Sequence, residues 1–202
     1  MKKLLLILLC VPLIGFCQLK GGSDNLSSHF IDSLNKLILT NPDDINLYYS
    51  RGKHYKDGWE FRKAIEDFSM IIELNPNDAY AYGLRGNCSR ELENYGNAKS
   101  DFTKAIEIDS KFYDRNDHPY YEVLAWAYLC RGIMYSELGK DEDAIADYTS
   151  AIKVWPEYGW AYRNRGIRKR DLGMPYCVDF RICCELDQGH MDCCIWKIQE
   201  CE

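Results

Sequence analysis

The segment AIEDFSMIIELNP (residues 64–76) returns as AKSDFTKAIEIDS (98–110) and again as AIADYTSAIKVWP (144–156). The offsets of 34 and 46 residues describe a period of 34 broken by one insertion of 12. In each copy an alanine (Ala64, Ala98, Ala144) stands four residues before an aromatic (Phe68, Phe102, Tyr148). That spacing puts both side chains on one face of a helix. Ahead of the copies lie Arg51-Gly52, Arg85-Gly86 and Arg131-Gly132, and a fourth pair follows at Arg165-Gly166. A tyrosine precedes each arginine by three residues: Tyr48, Tyr82, Tyr128 and Tyr162. The repeating unit is therefore a pair of helices, and such a unit buries its apolar face only by stacking on its neighbours.

Glycine inside a helix costs about 1 kcal/mol relative to alanine, so each glycine needs a close neighbour. The small Ala64, Ala98 and Ala144 are expected to permit that approach. Asp67, Asp101 and Asp147, each one residue before the aromatic, are expected to pair with Arg51, Arg85 and Arg131 as structural ion pairs. A matching ladder of aspartates makes this a better account of the arginines than a ligand ladder.

The pattern resembles the tetratricopeptide repeat, which has an aromatic and a glycine on its first helix and an alanine, an aromatic, a second alanine and a proline on its second. The resemblance runs over roughly 25–186, with units at 45–78, 79–112, 125–158 and 159–188. Ser89 and Lys169 stand where Tyr55 and Tyr135 occur, Ile71 replaces the second alanine and Ser110 the proline. In the fourth unit the turn is shortened and Phe180 takes the aromatic position. The resemblance implies an all-α fold, a right-handed superhelical array of antiparallel helix pairs with about three to four repeats plus caps. Residues 18–44 read as a linker and an N-terminal capping helix, its stripe formed by Phe30, Leu34, Leu37 and Ile38. The insertion 113–124 should lengthen the following helix, with Asp117 as cap and Pro119 in the first turn. His118 is read there as a solvated histidine.

The first residues, MKKLLLILLCVPLIGFCQ, place Lys2 and Lys3 before an apolar run too short to span a bilayer comfortably. They read as a signal peptide over 1–17, cut before Gln18, and the G-F-C-Q ending resembles leaders of Bacteroidetes-type bacteria. A periplasmic or secreted location follows, with no membrane span after cleavage. The formal charge of −6 becomes more negative once the two lysines leave, which argues against a nucleic-acid partner.

Of ten cysteines, Cys10 and Cys17 lie in the leader, and the even set that remains suggests disulfides in an oxidising compartment. The chain's ending resembles the last unit of secreted Bacteroidetes repeat proteins, in which an early cysteine of the final second helix is matched by one near the chain end. Here those are Cys177 and Cys201. Two antiparallel helices juxtapose residues whose numbers have a constant sum, and Cys184 with Cys194 has the same sum as Cys177 with Cys201. Within each helix the two cysteines are seven residues apart and share a face. Residues 189–202 are accordingly expected to form a disulfide-stapled C-terminal helix. Cys183 and Cys193 stay open, and Cys88 and Cys130 are either a further bridge or buried thiols. The alternative makes the tail the active element. It would bind zinc through Cys183 or Cys184, His190, and Cys193 or Cys194, or act through reactive thiols. Vicinal cysteines diverge by about 100° on a helix, and no C-x-x-C motif is present.

The resemblance further implies a concave groove lined by first helices. Matching positions are Asn46, Tyr49, Lys53 and Lys56; then Tyr80, Asn87 and Arg90; then Trp126, Ile133 and Ser136; then Trp160, Arg163, Ile167 and Arg170. Aromatics supply contact area and cations recognise carboxylates, so a protein or peptide partner with acidic and apolar side chains is expected. Tyr49 stands where the chaperone-tail-binding members have a lysine. No phosphate loop, G-x-S-x-G or H-E-x-x-H occurs, and His29, His54, His118 and His190 are scattered. The chain is read as a non-catalytic interaction module that needs no cofactor.

Overall fold

The computed structural model describes residues 23–112 and 120–187. Among these it shows nine helices and no strand: α1 (Ser23–Thr40), α2 (Ile45–Asp57), α3 (Phe61–Leu74), α4 (Ala79–Glu91), α5 (Tyr95–Phe112), α6 (Tyr120–Glu137), α7 (Asp141–Val154), α8 (Gly159–Asp171) and α9 (Cys177–Asp187). The leader over 1–17, Asp117, His118, Pro119 and residues 189–202 lie outside the described residues. Helix α1 belongs to a unit of its own that ends at Pro42. Its last turn is closed by side chains: the Thr40 hydroxyl donates to Leu37 O at 2.9 Å, and Asn41 Nδ2 donates to the same oxygen at 3.2 Å.

From Asp43 onward, helices pack in sequence, α2 on α3, α3 on α4 and so on to α9. Two first helices are capped in the same way. Asp44 accepts from Asn46 N and Asp78 from Ala81 N, each at 3.0 Å, satisfying amides that have no partner within the helix.

An aromatic ring fills the space over each mid-helix glycine. A Cβ at Gly52 would lie 2.8 Å from Phe68 Cε1, at Gly86 3.0 Å from Phe102 Cε1, at Gly132 2.6 Å from Tyr148 Cε1, and at Gly166 2.5 Å from Phe180 Cε1. At Gly132 the alanine expected to permit the approach is itself in contact, with Ala144 O 3.3 Å from that Cβ position. Phe68, Phe102 and Phe180 are fully buried and Tyr148 nearly so.

The three expected ion pairs are present. Arg51 Nη2 lies 2.6 Å from Asp67 Oδ1, Arg85 Nη2 2.8 Å from Asp101 Oδ1, and Arg131 Nε 2.7 Å from Asp147 Oδ2. In each the Nε and Nη2 groups both donate, so the carboxylate is held in a fork. The bond to Asp101 pushes Arg85 above the usual guanidinium range, against the opposing cost of burial. A fourth pair, Arg165 with Asp179 at 2.6 Å, spans 14 residues rather than 16, and Lys169 Nζ joins it at 2.9 Å from Asp179 Oδ2.

Two further contacts recur with the period. Each arginine lies over the tyrosine three residues before it, at 5.8 Å for Arg51 on Tyr48, 5.5 Å for Arg85 on Tyr82, 5.7 Å for Arg131 on Tyr128 and 5.5 Å for Arg165 on Tyr162. The tyrosine thus shields the guanidinium by a cation–π contact. The remaining nitrogen, Nη1, reaches back to the preceding unit: Arg85 to Ser69 Oγ and Arg131 to Thr103 Oγ1 at 3.2 Å, and Arg165 to Thr149 Oγ1 at 3.1 Å. Arg85, Arg131 and Arg165 therefore each bind their own helix pair and tie that pair to the preceding one.

Helices α3 and α7 end before Pro76 and Pro156, as expected from the restriction proline places on the preceding residue. Ser110 removes that restriction in the second unit, so α5 continues to Phe112. The extension carries Asp109 inside, 6 % exposed, with Oδ2 unpartnered among the described residues. Burial, and then the nearby Asp78 carboxylate, push the Asp109 carboxyl up to about 6. A carboxyl raised in the folded state keeps its proton after the unfolded chain has lost it. Its contribution to stability is present at about pH 4 and is lost as pH rises through about 6. Replacing Asp109 by Asn should therefore raise unfolding stability by about 2 kcal/mol at pH 7.5 and by almost nothing at pH 4. Urea unfolding at the two pH values checks this; equal effects at both would contradict it.

Candidate functional site

Helices α2, α4 and α6 each contribute one wall of an open groove of about 690 Å³. Lys53, Lys56 and Asp57 come from α2, Tyr80, Leu84 and Asn87 from α4, and Glu122, Val123 and Trp126 from α6. Trp155 and Tyr158, flanking the turn between α7 and α8, complete it. Tyr80 and Trp126 occupy the same repeat position, five residues before the Arg of the Arg-Gly pair. Their rings meet at 5.6 Å, and Tyr49 stacks on Tyr80 at 5.9 Å. Gly83 makes this possible, because a Cβ there would overlap the six-membered ring of Trp126. Trp155 and Tyr158 stack nearly parallel at 4.6 Å.

The cations expected on the concave face differ in availability, and Arg90 does not line the groove. Lys53 is exposed, with Nζ 5.1 Å from the Tyr80 centroid and 5.5 Å from that of Tyr49. Lys56 Nζ lies 2.8 Å from Asp57 Oδ1. Arg90 is paired with Glu91 of its own helix and Glu137 of α6, and also donates to Asn87 Oδ1 at 3.2 Å. Lys53 is thus the cation of the groove placed to meet an incoming carboxylate.

Of the residues expected on the concave face, the groove brings together Lys53, Lys56, Tyr80, Asn87 and Trp126. Tyr49 serves the frame: its hydroxyl donates to Asp78 Oδ1 at 2.6 Å, and burial, then that bond, push the phenol above its usual range. Asn46 is exposed in the first turn of α2. Ile133 packs on the α6–α7 core. Trp160 is 51 % exposed on α8 with the Arg163 guanidinium 5.6 Å over its ring. Ile167 is half-buried, and Arg170 lies 3.5 Å from Asp171. Asp57, Leu84, Glu122, Val123, Trp155 and Tyr158 are groove residues that sequence reasoning did not include. The only signal for the last two is the pair of aromatics around Pro156, outside the first helices.

Cys88 and Cys130 are free and buried, and burial pushes both thiols up to about 12. A thiol held protonated at neutral pH is a poor nucleophile, so these two are core residues. Cys177, Cys183 and Cys184 are not among the free thiols. Cys193, Cys194, Cys201 and His190, needed for the expected staples or for zinc, lie outside the described residues. Among the described residues no group of three or more histidine, cysteine, aspartate or glutamate side chains is arranged to hold a metal ion.

Residues 79–112, the second helix pair, match the family model described as a tetratricopeptide repeat. Solved repeat structures superpose on most of the chain. The crystal structure of MamA is 21 % identical, with TM-score 0.67 over 82 % of this chain and 91 % of that one. The fold is a tetratricopeptide-repeat solenoid. A second crystal structure, of PilW, a widely conserved type IV pilus biogenesis factor, is 17 % identical, with TM-score 0.67 over 84 % of this chain and 74 % of that one. The first tetratricopeptide domain of Spaghetti (RPAP3), bound to the HSP90 peptide SRMEEVD, is 19 % identical, with TM-score 0.54 over 64 % of this chain and 93 % of that one. The search of curated proteins gave no match. No helix among the described residues of this solenoid is long and apolar enough to cross a membrane.

Proposed function

We propose that the chain is a non-catalytic protein-binding module of the bacterial envelope, which holds an extended segment of a partner protein in the groove between α2, α4 and α6. The observation that carries this reading is the groove itself, where four aromatic rings from two units, Tyr80 and then Trp126, Trp155 and Tyr158, line one space with the exposed Lys53, whose ammonium lies over Tyr80. Rings in an open groove offer large contact area at little cost in side-chain ordering. A lysine over them favours a carboxylate nearby. A segment carrying an apolar side chain and an acidic one fits both features. The solenoid neighbours support a scaffold that binds proteins, and one of them was solved with a peptide bound. The envelope location rests on the lysine-led apolar leader of residues 1–17; finding the chain in the cytoplasm with that leader intact would remove it.

A displayed library of random dodecapeptides, panned on the full chain, tests the groove. Enriched peptides should share a bulky apolar residue and an acidic one. Trp126→Ala should weaken their binding by about tenfold or more, as for a buried aromatic anchor. Lys53→Glu should weaken acidic peptides selectively. Enrichment of peptides indifferent to both changes would overturn the reading.

A further inference from the structure

The hairpins of the array turn through one residue in the left-handed region: two use glycine there, Gly139 at φ 67° and Gly173 at φ 68°, and the second hairpin uses the unbranched Glu93 at φ 58°. The first hairpin places a tryptophan at this point, Trp59 at φ 63°. Its turn is closed as in the others, by Trp59 N–H to Lys56 O at 3.1 Å and Glu60 N–H to Tyr55 O at 2.8 Å. A bulky residue rarely adopts this backbone conformation, and one that does is under strain. Burial does not compensate it, since Trp59 is 76 % exposed and its ring contact is an edge approach to Phe61 at 5.8 Å. A strained, exposed tryptophan where glycine would be relaxed does not serve stability.

What the residue does serve is shown by its surroundings. Trp59 and Phe61 line a cleft of about 320 Å³ together with Lys56, Asp57, Asn87 and Glu91. Lys56, Asp57 and Asn87 line the main groove as well, so the two adjoin across these side chains. The charges of the cleft are already matched, Lys56 by Asp57 and Glu91 by Arg90. It therefore offers ring faces and no unmatched charge, which suits an apolar side chain better than a charged one.

We infer that Trp59 and Phe61 form a second subsite of the groove, taking an apolar or aromatic side chain from the same extended partner segment that lies against Tyr80 and Trp126. This rests on the groove reading above. The test uses a peptide selected by panning on the full chain, with affinity measured by titration calorimetry and stability by urea unfolding. Trp59→Gly should leave the unfolding midpoint unchanged or raise it, while weakening the peptide by about tenfold. Trp59→Asn, also tolerant of the left-handed turn, should do the same. If both variants bind within about twofold of the parent while Trp126→Ala abolishes binding, the second subsite is wrong and the groove stands. If they lose stability together with affinity, Trp59 is structural and the inference falls. If Trp126→Ala also leaves the affinity unchanged, the groove reading itself is overturned.

Discussion

Phe102→Ala should lower the unfolding free energy by about 4 kcal/mol, near the upper part of the range for deleting a buried ring. Phe102 is fully buried, and its ring edge lies over Gly86 of α4. The cluster around it joins Ala98 of its own unit to Cys130 and Met134 of the next, with Tyr95, Trp126 and Tyr135 packed against it. One deletion therefore opens a void in the unit and in its interface with the next unit. In a solenoid the stability of the array is a sum of such unit and interface terms, so both are lost together. Glycine opposite the void cannot fill it. Urea unfolding measures the effect, and a loss under about 1 kcal/mol would show that the ring is not the packing element claimed for it.

Asp179→Ala should cost about 3 kcal/mol, more than the same change at Asp67, Asp101 or Asp147. Removing one partner of a buried pair leaves the other charge without compensation, and here two cations are left. Arg165 and Lys169 both converge on Asp179, whose side chain is 2 % exposed while theirs are 15 % and 21 % exposed. That partial exposure keeps the expected cost at the low end for a broken buried pair. Reversing the loss with Lys169→Met, which removes one of the two stranded charges, would support this origin. An unchanged loss in the double variant would contradict it, because coupled sites in one network must be non-additive.

How much of this is visible in the chain alone depends on whether the contact repeats. Arg51 with Asp67, Arg85 with Asp101 and Arg131 with Asp147 recur at one separation, so the ion-pair ladder is readable without coordinates. Arg165 with Asp179 is the same contact, hidden because a shortened turn moved it by two residues. The tyrosine three residues before each arginine is readable as a pattern, but its cause, a cation–π contact, depends on rotamers that spacing does not specify. The glycines require a close neighbour on energetic grounds, and the atom nearest each of them belongs to the aromatic ring four residues after the alanine position.

The groove was less legible because it depends on differences between units. Tyr80 and Trp126 share a repeat position and are natural candidates, yet their contact needs Gly83, which stands at the repeat position of Tyr49. Arg90 looks like a carboxylate receptor until Glu137, 47 residues later, is seen to hold it. Trp155 and Tyr158 enter from a turn, so a search confined to first helices passes over them. Trp59 is plain in the sequence, but its exposure and left-handed backbone are properties of the folded chain.

The central claim is that a partner segment occupies the concave groove. Amide hydrogen exchange of the full chain, with and without a peptide selected by panning, tests it most directly. Protection is expected on α2, α4, the start of α6 and the turn carrying Trp155 and Tyr158. Protection confined to α3, α5 and α7 would place the partner on the other set of helices and contradict the account.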